Sequence, residues 1–244
     1  MNEERSPSDT VSDISFRGSD PGAVKYGNFI NYYQFHPPEK RIQTLPTEIW
    51  SNMQDENCHV LDIGCNAGNL TQSIYSFLNK QAPKTNYKLY GIDIDPLLVE
   101  RAILHNDFKS NVFYNCLNIM NEKDRLSIFN FLPSNKVKYN YVFCFSVLMW
   151  IHLNNGDEGL IDCLKYLCNM TDVLIIELQP WKCYKNAVRR MQKSNDDFAL
   201  YKSLKIRNNV EDEIVRLIQE QGFIKIFESF SKEWNRKIII FKAK

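Results

Sequence analysis

Apolar residues follow two alternating rhythms through most of this chain. Residues 59–63, 87–93, 112–117, 139–147 and 172–178 are short runs rich in Val, Ile, Leu, Tyr and Phe, and each reads as a strand. Between them lie stretches with helical spacing: about 67–79, a segment opened by Pro96, about 122–131 and about 156–169. The last carries Leu160, Ile161, Leu164 and Leu167 on one face, and Pro96 suits the first turn of its helix. YNYVFCFSV (139–147) is almost continuously apolar, as expected of a central parallel strand covered on both faces. Strand-then-helix repetition predicts an α/β fold, a parallel sheet with helices on both sides. Beyond residue 178 the rhythm changes. A helix follows Pro180, a polar and basic stretch runs to Arg207, and a helix over 210–221 stops at Gly222. FIKIFESF and RKIIIFKA, joined by SKEWN, predict a C-terminal antiparallel hairpin.

The N-terminal end is different. Residues 1–24 are polar and read as a disordered tail. YGNFINYYQFHPPEKRIQTLP then mixes Tyr and Phe with amides, His and Arg. His36-Pro37-Pro38 demands a turn, and a helix is expected from about Glu39 to Met53. This region fits either a cap that packs aromatics on the core or a lid with polar substrate contacts. The expected organisation is one domain over 25–244, with an aromatic lid over 25–57.

Composition narrows the function classes. The chain has 244 residues, 44% hydrophobic and 13% aromatic, enough for one large core or two small ones. A formal net charge of +1 provides no global attraction for a polyanion, so nucleic-acid binding would need local patches. The 7 cysteines form no C-x-x-C pair and no Cys/His metal spacing, and several sit in apolar runs. That pattern suggests a reducing compartment, hence a cytoplasmic location, and no metal. No N-terminal segment reads as a signal peptide, and the longest apolar run, Tyr141–Leu153, is too short to span a bilayer.

The most informative stretch is CHVLDIGCNAGNL, 58–70: a buried strand, a glycine turn and a helix start. Such a turn lets a ligand approach the main chain closely and presents free N–H groups to it. It departs from the dinucleotide fingerprint, because Asn66 replaces the middle glycine and the next strand ends in an acid only at Asp93. Taken alone, it also fits an ordinary strand-to-helix turn. D-x-G-x-x-x-G, with an acid at the next strand end, resembles the S-adenosylmethionine (SAM) site of class I methyltransferases.

Several motifs together resemble one family. YGNFINYYQFHPPEKR, LDIGCNAGNL, GIDIDPLLVERA, FCFSVLMWIHLNNGDEGL, ELQPWKCYKNAVRR and WNRKIIIFKAK look like the RNA 5′-phosphate methyltransferases of the Bicoid-interacting type. The similarity is greatest to the RNA 5′-monophosphate branch and less to the 7SK methylphosphate capping enzymes. It implies a class I SAM-dependent methyltransferase (Rossmann-like) fold ending in the hairpin. By that resemblance Arg41, Asp62, Gly64, Asn66, Asp93, Ile94, Asn118, Ile119 and Phe145 bind the cofactor. Asp93 would accept from ribose hydroxyls, and Phe145 would lie along the adenine. Asn118 and Ile119 stand where the family often has an acid and an apolar residue; the Asn118 amide oxygen can still accept from the adenine amino group. His152, Lys182, Tyr184, Tyr32 and Asn28 match positions facing the phosphate side. From chemistry alone His152 also reads as a satisfied core histidine, Lys182 as a surface charge, and Trp150 and Trp181 as packing. Glu177 and Gln179 close the fifth strand, where an α/β sheet places functional groups.

The implied reaction is methylation of an RNA 5′-terminal monophosphate, with histidine tRNA and precursor microRNA as candidate substrates. The implied partners are SAM and RNA, with no membrane or metal and a monomeric state. From Lys182 to Arg207 eight basic residues face only Asp196 and Asp197, a local excess that RNA contact or a solvated face would explain. Two other classes remain open at this stage: a methyltransferase of a small molecule or protein, and a non-enzymatic RNA-binding module that retains SAM.

Overall fold

The computed structural model describes residues 24–50, 56–229 and 236–244. Their strands are β1 (Asn57–Ile63), β2 (Asn86–Asp93), β3 (Val112–Cys116), β4 (Tyr139–Phe145), β5 (Thr171–Glu177), β6 (Phe223–Glu228) and β7 (Ile238–Ala243). They form one sheet in the order β3-β2-β1-β4-β5-β7-β6. β1 to β5 are mutually parallel, β7 runs antiparallel to β5, and β6 runs antiparallel to β7. The terminal strands thus pair as the sequence predicts; the connection between them, 230–235, lies outside the described residues. Strand order reverses between β1 and β4, which opens a crevice at their carboxyl ends.

The helices are α1 (Tyr32–Phe35), α2 (Pro38–Ile42), α3 (Asn69–Gln81), α4 (Pro96–Leu104), α5 (Glu122–Phe129), α6 (Leu148–Asn169), α7 (Trp181–Lys193) and α8 (Val210–Glu220). Two buried clusters explain why both sheet faces are covered. On one face Val142, Cys144, Leu174 and Ile176 meet Leu160, Leu164 and Leu167 of α6 and Ile218 of α8. On the other, Tyr141, Phe143, Val173 and Ile175 meet Leu70, Ile74 and Leu78 of α3 and Val99 of α4. Each of these leucines, fully or almost fully buried, stabilises the fold by roughly 2 kcal/mol.

Three expectations need correction. The long helix from Glu39 to Met53 does not form: α2 ends at Ile42, and residues 43–50 are turns. Pro46 lacks an N–H and disfavours helical angles at Leu45, which stops propagation; residues 51–55 lie outside the described residues. Val24, placed in the tail, is buried in the α6 cluster; the rest of that tail, 1–23, lies outside the described residues. Helix α6 starts at Leu148, well before Gly156, and kinks at that glycine (φ 72°, ψ −173°). The run SVLMWIHL has no polar face to reveal its period, so periodicity alone cannot separate strand from buried helix.

Candidate active site

β1 leads into a loop of left-handed residues: Gly64 (φ 74°), Asn66 (φ 51°) and Gly68 (φ 82°). The Gly64 and Cys65 N–H groups both donate to the Ile92 carbonyl, at 2.8 and 3.0 Å, which binds the loop to β2. A Cβ on Gly64 would stand 2.4 Å from Val147 Cγ2, so no larger residue fits. Asn is one of the few other residues that tolerate this backbone region. Asn66 uses the position fully: its N–H donates to Asp93 Oδ2 (2.9 Å), its Oδ1 accepts from Ala67 N (2.8 Å), and its Nδ2 donates to the Phe29 carbonyl (3.0 Å).

Asp93, at the end of β2, also accepts from Asp95 N at 3.0 Å. Each of its oxygens keeps a second lone pair for a ligand hydroxyl. Burial pushes Asp93 up to about 6, against the pull of the Asp95 and Asn66 N–H groups. Asp62, hydrogen-bonded by Thr71 Oγ1 at 2.6 Å, is pushed up to about 7, again chiefly by burial. A carboxyl raised in this way holds its proton better in the folded than in the unfolded chain. Its stabilising contribution is complete below the unfolded value near 4 and is lost as pH rises through about 6 to 7. Asp62→Asn therefore loses less stability than wild type between pH 5 and pH 8, by on the order of 2 kcal/mol. Urea melts of the ligand-free proteins check this; parallel pH curves would contradict it.

The aromatic segment lies over this loop. Asn28 Nδ2 donates to Asp95 Oδ2 at 2.8 Å, and Tyr33 OH donates to the Cys65 carbonyl at 3.2 Å. With the Asn66–Phe29 bond, these contacts tie the aromatic segment to the loop after β1 and to Asp95 before α4. Phe29 also packs edge-on against Trp150. The aromatic segment and the crevice bound a cavity of about 1390 Å³. A pocket for one small ligand is roughly 300–1000 Å³, so this one has space for a cofactor and the end of a larger substrate. All nine cofactor residues named from the sequence line it.

At the carboxyl ends of β4 and β5 the wall is ionic. Arg41 is buried, and its Nε and Nη2 donate to the two oxygens of Glu177 at 2.6 and 2.9 Å; Nη2 also donates to Tyr32 OH at 2.6 Å. Arg236 Nη1 donates to Ser146 Oγ at 2.6 Å and reaches Tyr32 OH at 3.3 Å and Glu177 Oε1 at 3.4 Å. Ser146 in turn donates to Glu177 Oε1. Ser146 adopts φ 61°, in the left-handed region that non-glycine residues seldom occupy. Burial would raise the Glu177 carboxyl, but Arg41 outweighs it and holds the group below its ordinary range. Burial and the two arginines depress His36 to about 4, so this cavity-lining imidazole is neutral at physiological pH.

The structure divides the five residues expected on the phosphate side. Tyr32 and Asn28 line the cavity. His152 and Tyr184 do not. His152 is fully buried, with Nδ1 3.2 Å from Tyr184 OH and Nε2 2.8 Å from Asp157 Oδ1. Asp157 also accepts from Lys205 N and Ile206 N, so the group ties the α6 kink to the loop after α7. Lys182 is exposed and outside the lining; the cavity side of α7 carries Cys183, Asn186, Ala187 and Arg190 instead. Trp181 stacks on Tyr201 at 5.5 Å, which is packing. Asn118 lines the cavity, but its Oδ1 already accepts from Met120 N at 2.9 Å, leaving one lone pair for an adenine amino group. Ser146 and Arg236 were not legible as site residues. Ser146 looked like one more strand position, and Arg236 comes from the far end of the chain.

A glycine turn, a carboxylate at the β2 end and apolar cavity-lining residues that include Ile94, Ile119 and Phe145, on a sheet in this order, define a class I SAM-dependent methyltransferase. The fold matches that of the plantazolicin methyltransferase BpumL, solved in complex with SAH: TM-score 0.56, 14% identity, 92% of this chain and 95% of that one. The family model of Bicoid-interacting protein 3 matches residues 139–243. The pre-miRNA 5′-monophosphate methyltransferase of Xenopus laevis is 38% identical over 239 residues, covering 91% of this chain and 94% of the relative. The RNA 5′-monophosphate methyltransferase of Homo sapiens is 34% identical over 252 residues, covering 97% and 86%. The chain belongs to the Bicoid-interacting protein 3 family and, within it, to the RNA 5′-monophosphate methyltransferases.

Proposed function

We propose that this enzyme methylates an oxygen of the 5′-terminal monophosphate of RNA, on substrates of the precursor-microRNA or histidine-tRNA kind. The observation that carries this reading is the pair of arginines, Arg41 and Arg236, braced on one buried carboxylate in the same cavity as the glycine turn. Two guanidiniums against one carboxylate leave these three groups with a single positive charge, turned toward a space that has room for a phosphate.

The donor set fits SAM. Asp93 has lone pairs for ribose hydroxyls, the Asn66 loop bounds the crevice, and Ile119 and Phe145 give the cavity apolar lining. When bound, SAM supplies the methyl group. The chain's own task is to position the acceptor. A phosphate monoester has a second pKa near 6, so its oxygens are already anionic at neutrality and no general base is needed. Alignment of the acceptor oxygen can itself remove several kcal/mol of barrier. Arg236 and Tyr32 hold the phosphate through a few hydrogen bonds, while Ser146 braces Arg236 against Glu177 and Glu177 tempers the arginines, so the acceptor keeps its nucleophilicity. His36 stays neutral and adds no charge.

RNA would leave the cavity along α7, where Lys182, Lys185, Arg189, Arg190 and Lys193 are exposed. We propose further that the enzyme acts as a monomer, as one domain after its N-terminal tail, in the reducing cytoplasm. Among the described residues no helix is long and apolar enough to cross a membrane, and no cluster of three metal-ligating side chains occurs.

The deciding experiment is mass spectrometry of RNA 5′ ends after incubation with enzyme and SAM. A 5′-monophosphate end gains methyl mass and a 5′-hydroxyl end does not. Equal labelling of both ends, or of neither, would sink the proposal.

A further inference from the structure

Gln179 lies two residues beyond Glu177, in the segment that leaves β5 and enters α7. It is 5% exposed and lines the cavity. Its Oε1 is buried without a hydrogen-bond partner among the described residues, and neither atom of the amide makes a hydrogen bond there. Buried polar groups are paired in the great majority of native structures, and an orphaned one costs free energy. A glutamine held this way in a ligand cavity has an acceptor available to the ligand.

Position and chemistry restrict which ligand group that is. The cofactor's ribose carboxylate, Asp93, stands on β2, three strands away from β5. At about 4.8 Å per strand that is roughly 14 Å, so Gln179 belongs to the substrate end. Phosphate oxygens of the ionised end only accept and cannot satisfy a buried Oε1. A ribose 2′-hydroxyl both donates and accepts, so it completes the amide in either orientation. Two residues of extended chain advance about 6.6 Å beyond Glu177, the order of the separation between a nucleotide's phosphate and its ribose hydroxyls.

We propose that Gln179 reads the 2′-hydroxyl of the first nucleotide, so that the enzyme selects an RNA end over a DNA end. This inference rests on the RNA 5′-monophosphate reading above. The test compares kcat/KM for two 5′-phosphorylated oligoribonucleotides of one sequence, one of them 2′-deoxy at the first nucleotide only. Wild type is expected to favour the ribose end about tenfold or more, the effect of leaving a buried amide unpaired. In Gln179→Met, which keeps the volume and loses both polar atoms, the ratio falls to about one. Gln179→Leu gives a second variant should the first fold poorly, and binding of SAM by calorimetry certifies either one.

Equal rates for the two ends in wild type overturn the inference, as does a ratio that survives in the variants. A variant that retains the ratio but loses SAM affinity places the amide on the cofactor and overturns it too. No methylation of any phosphorylated RNA by wild type overturns the underlying reading as well, which separates the two failures.

Discussion

Asp93→Ala binds SAM at least about a hundredfold more weakly than wild type in calorimetry, and methylation falls with it. The size of this effect follows from what the carboxylate holds together. It accepts from Asn66 N and Asp95 N, so it bridges the left-handed loop after β1 to the start of α4. Removing it orphans two buried donors, each at a cost of roughly 1–3 kcal/mol, and removes the acceptor for the ribose hydroxyls. The damage extends to the aromatic segment, because Asn66 carries the bond to Phe29 and Asp95 the bond to Asn28. Asp93→Asn keeps one acceptor and retains part of the affinity. Affinity in Asp93→Ala within a few-fold of wild type would remove Asp93 from the cofactor site.

Arg41→Met destabilises the protein by about 3 kcal/mol in urea melts and abolishes turnover. Arg41 supplies the two short bonds to Glu177, whose side chain is fully buried, whereas Arg236 reaches the same carboxylate only at 3.4 Å. Breaking a buried pair by removing one partner costs more than the pair itself contributes, because a charge is left in a low-dielectric site. The double variant Arg41→Met/Glu177→Gln should recover most of the stability and none of the activity. A double-mutant cycle with no coupling between the two positions would show that the ion pair is not what holds this wall.

Legibility varied with the physical range of each signal. The glycine turn, Asn66 and Asp93 were readable because their requirement is local: left-handed angles, a strand before and a helix after. Asn28 and Tyr32 of the aromatic segment were reached through motif similarity, and both line the cavity. His152 and Tyr184 were reached the same way, and the structure buries both outside the cavity lining. A motif residue can matter for packing as much as for chemistry, and only burial and partners tell which; here the partners are Asp157 and each other. Ser146 and Arg236 gave no signal. Their importance comes from meeting Glu177 across 31 and 59 residues of chain, and no periodicity encodes such a meeting.

From residue order alone followed the alternation of strands and helices, the antiparallel ending, the cofactor turn and the family, since hydrophobic period, glycine tolerance and motif spacing are properties of neighbours along the chain. The tertiary structure alone decided which side chains share the cavity. It placed two arginines on one carboxylate, withdrew His152 into the core and left the Gln179 amide without a partner among the described residues. Those outcomes depend on which strand ends lie side by side, and that is settled only when the whole sheet is assembled.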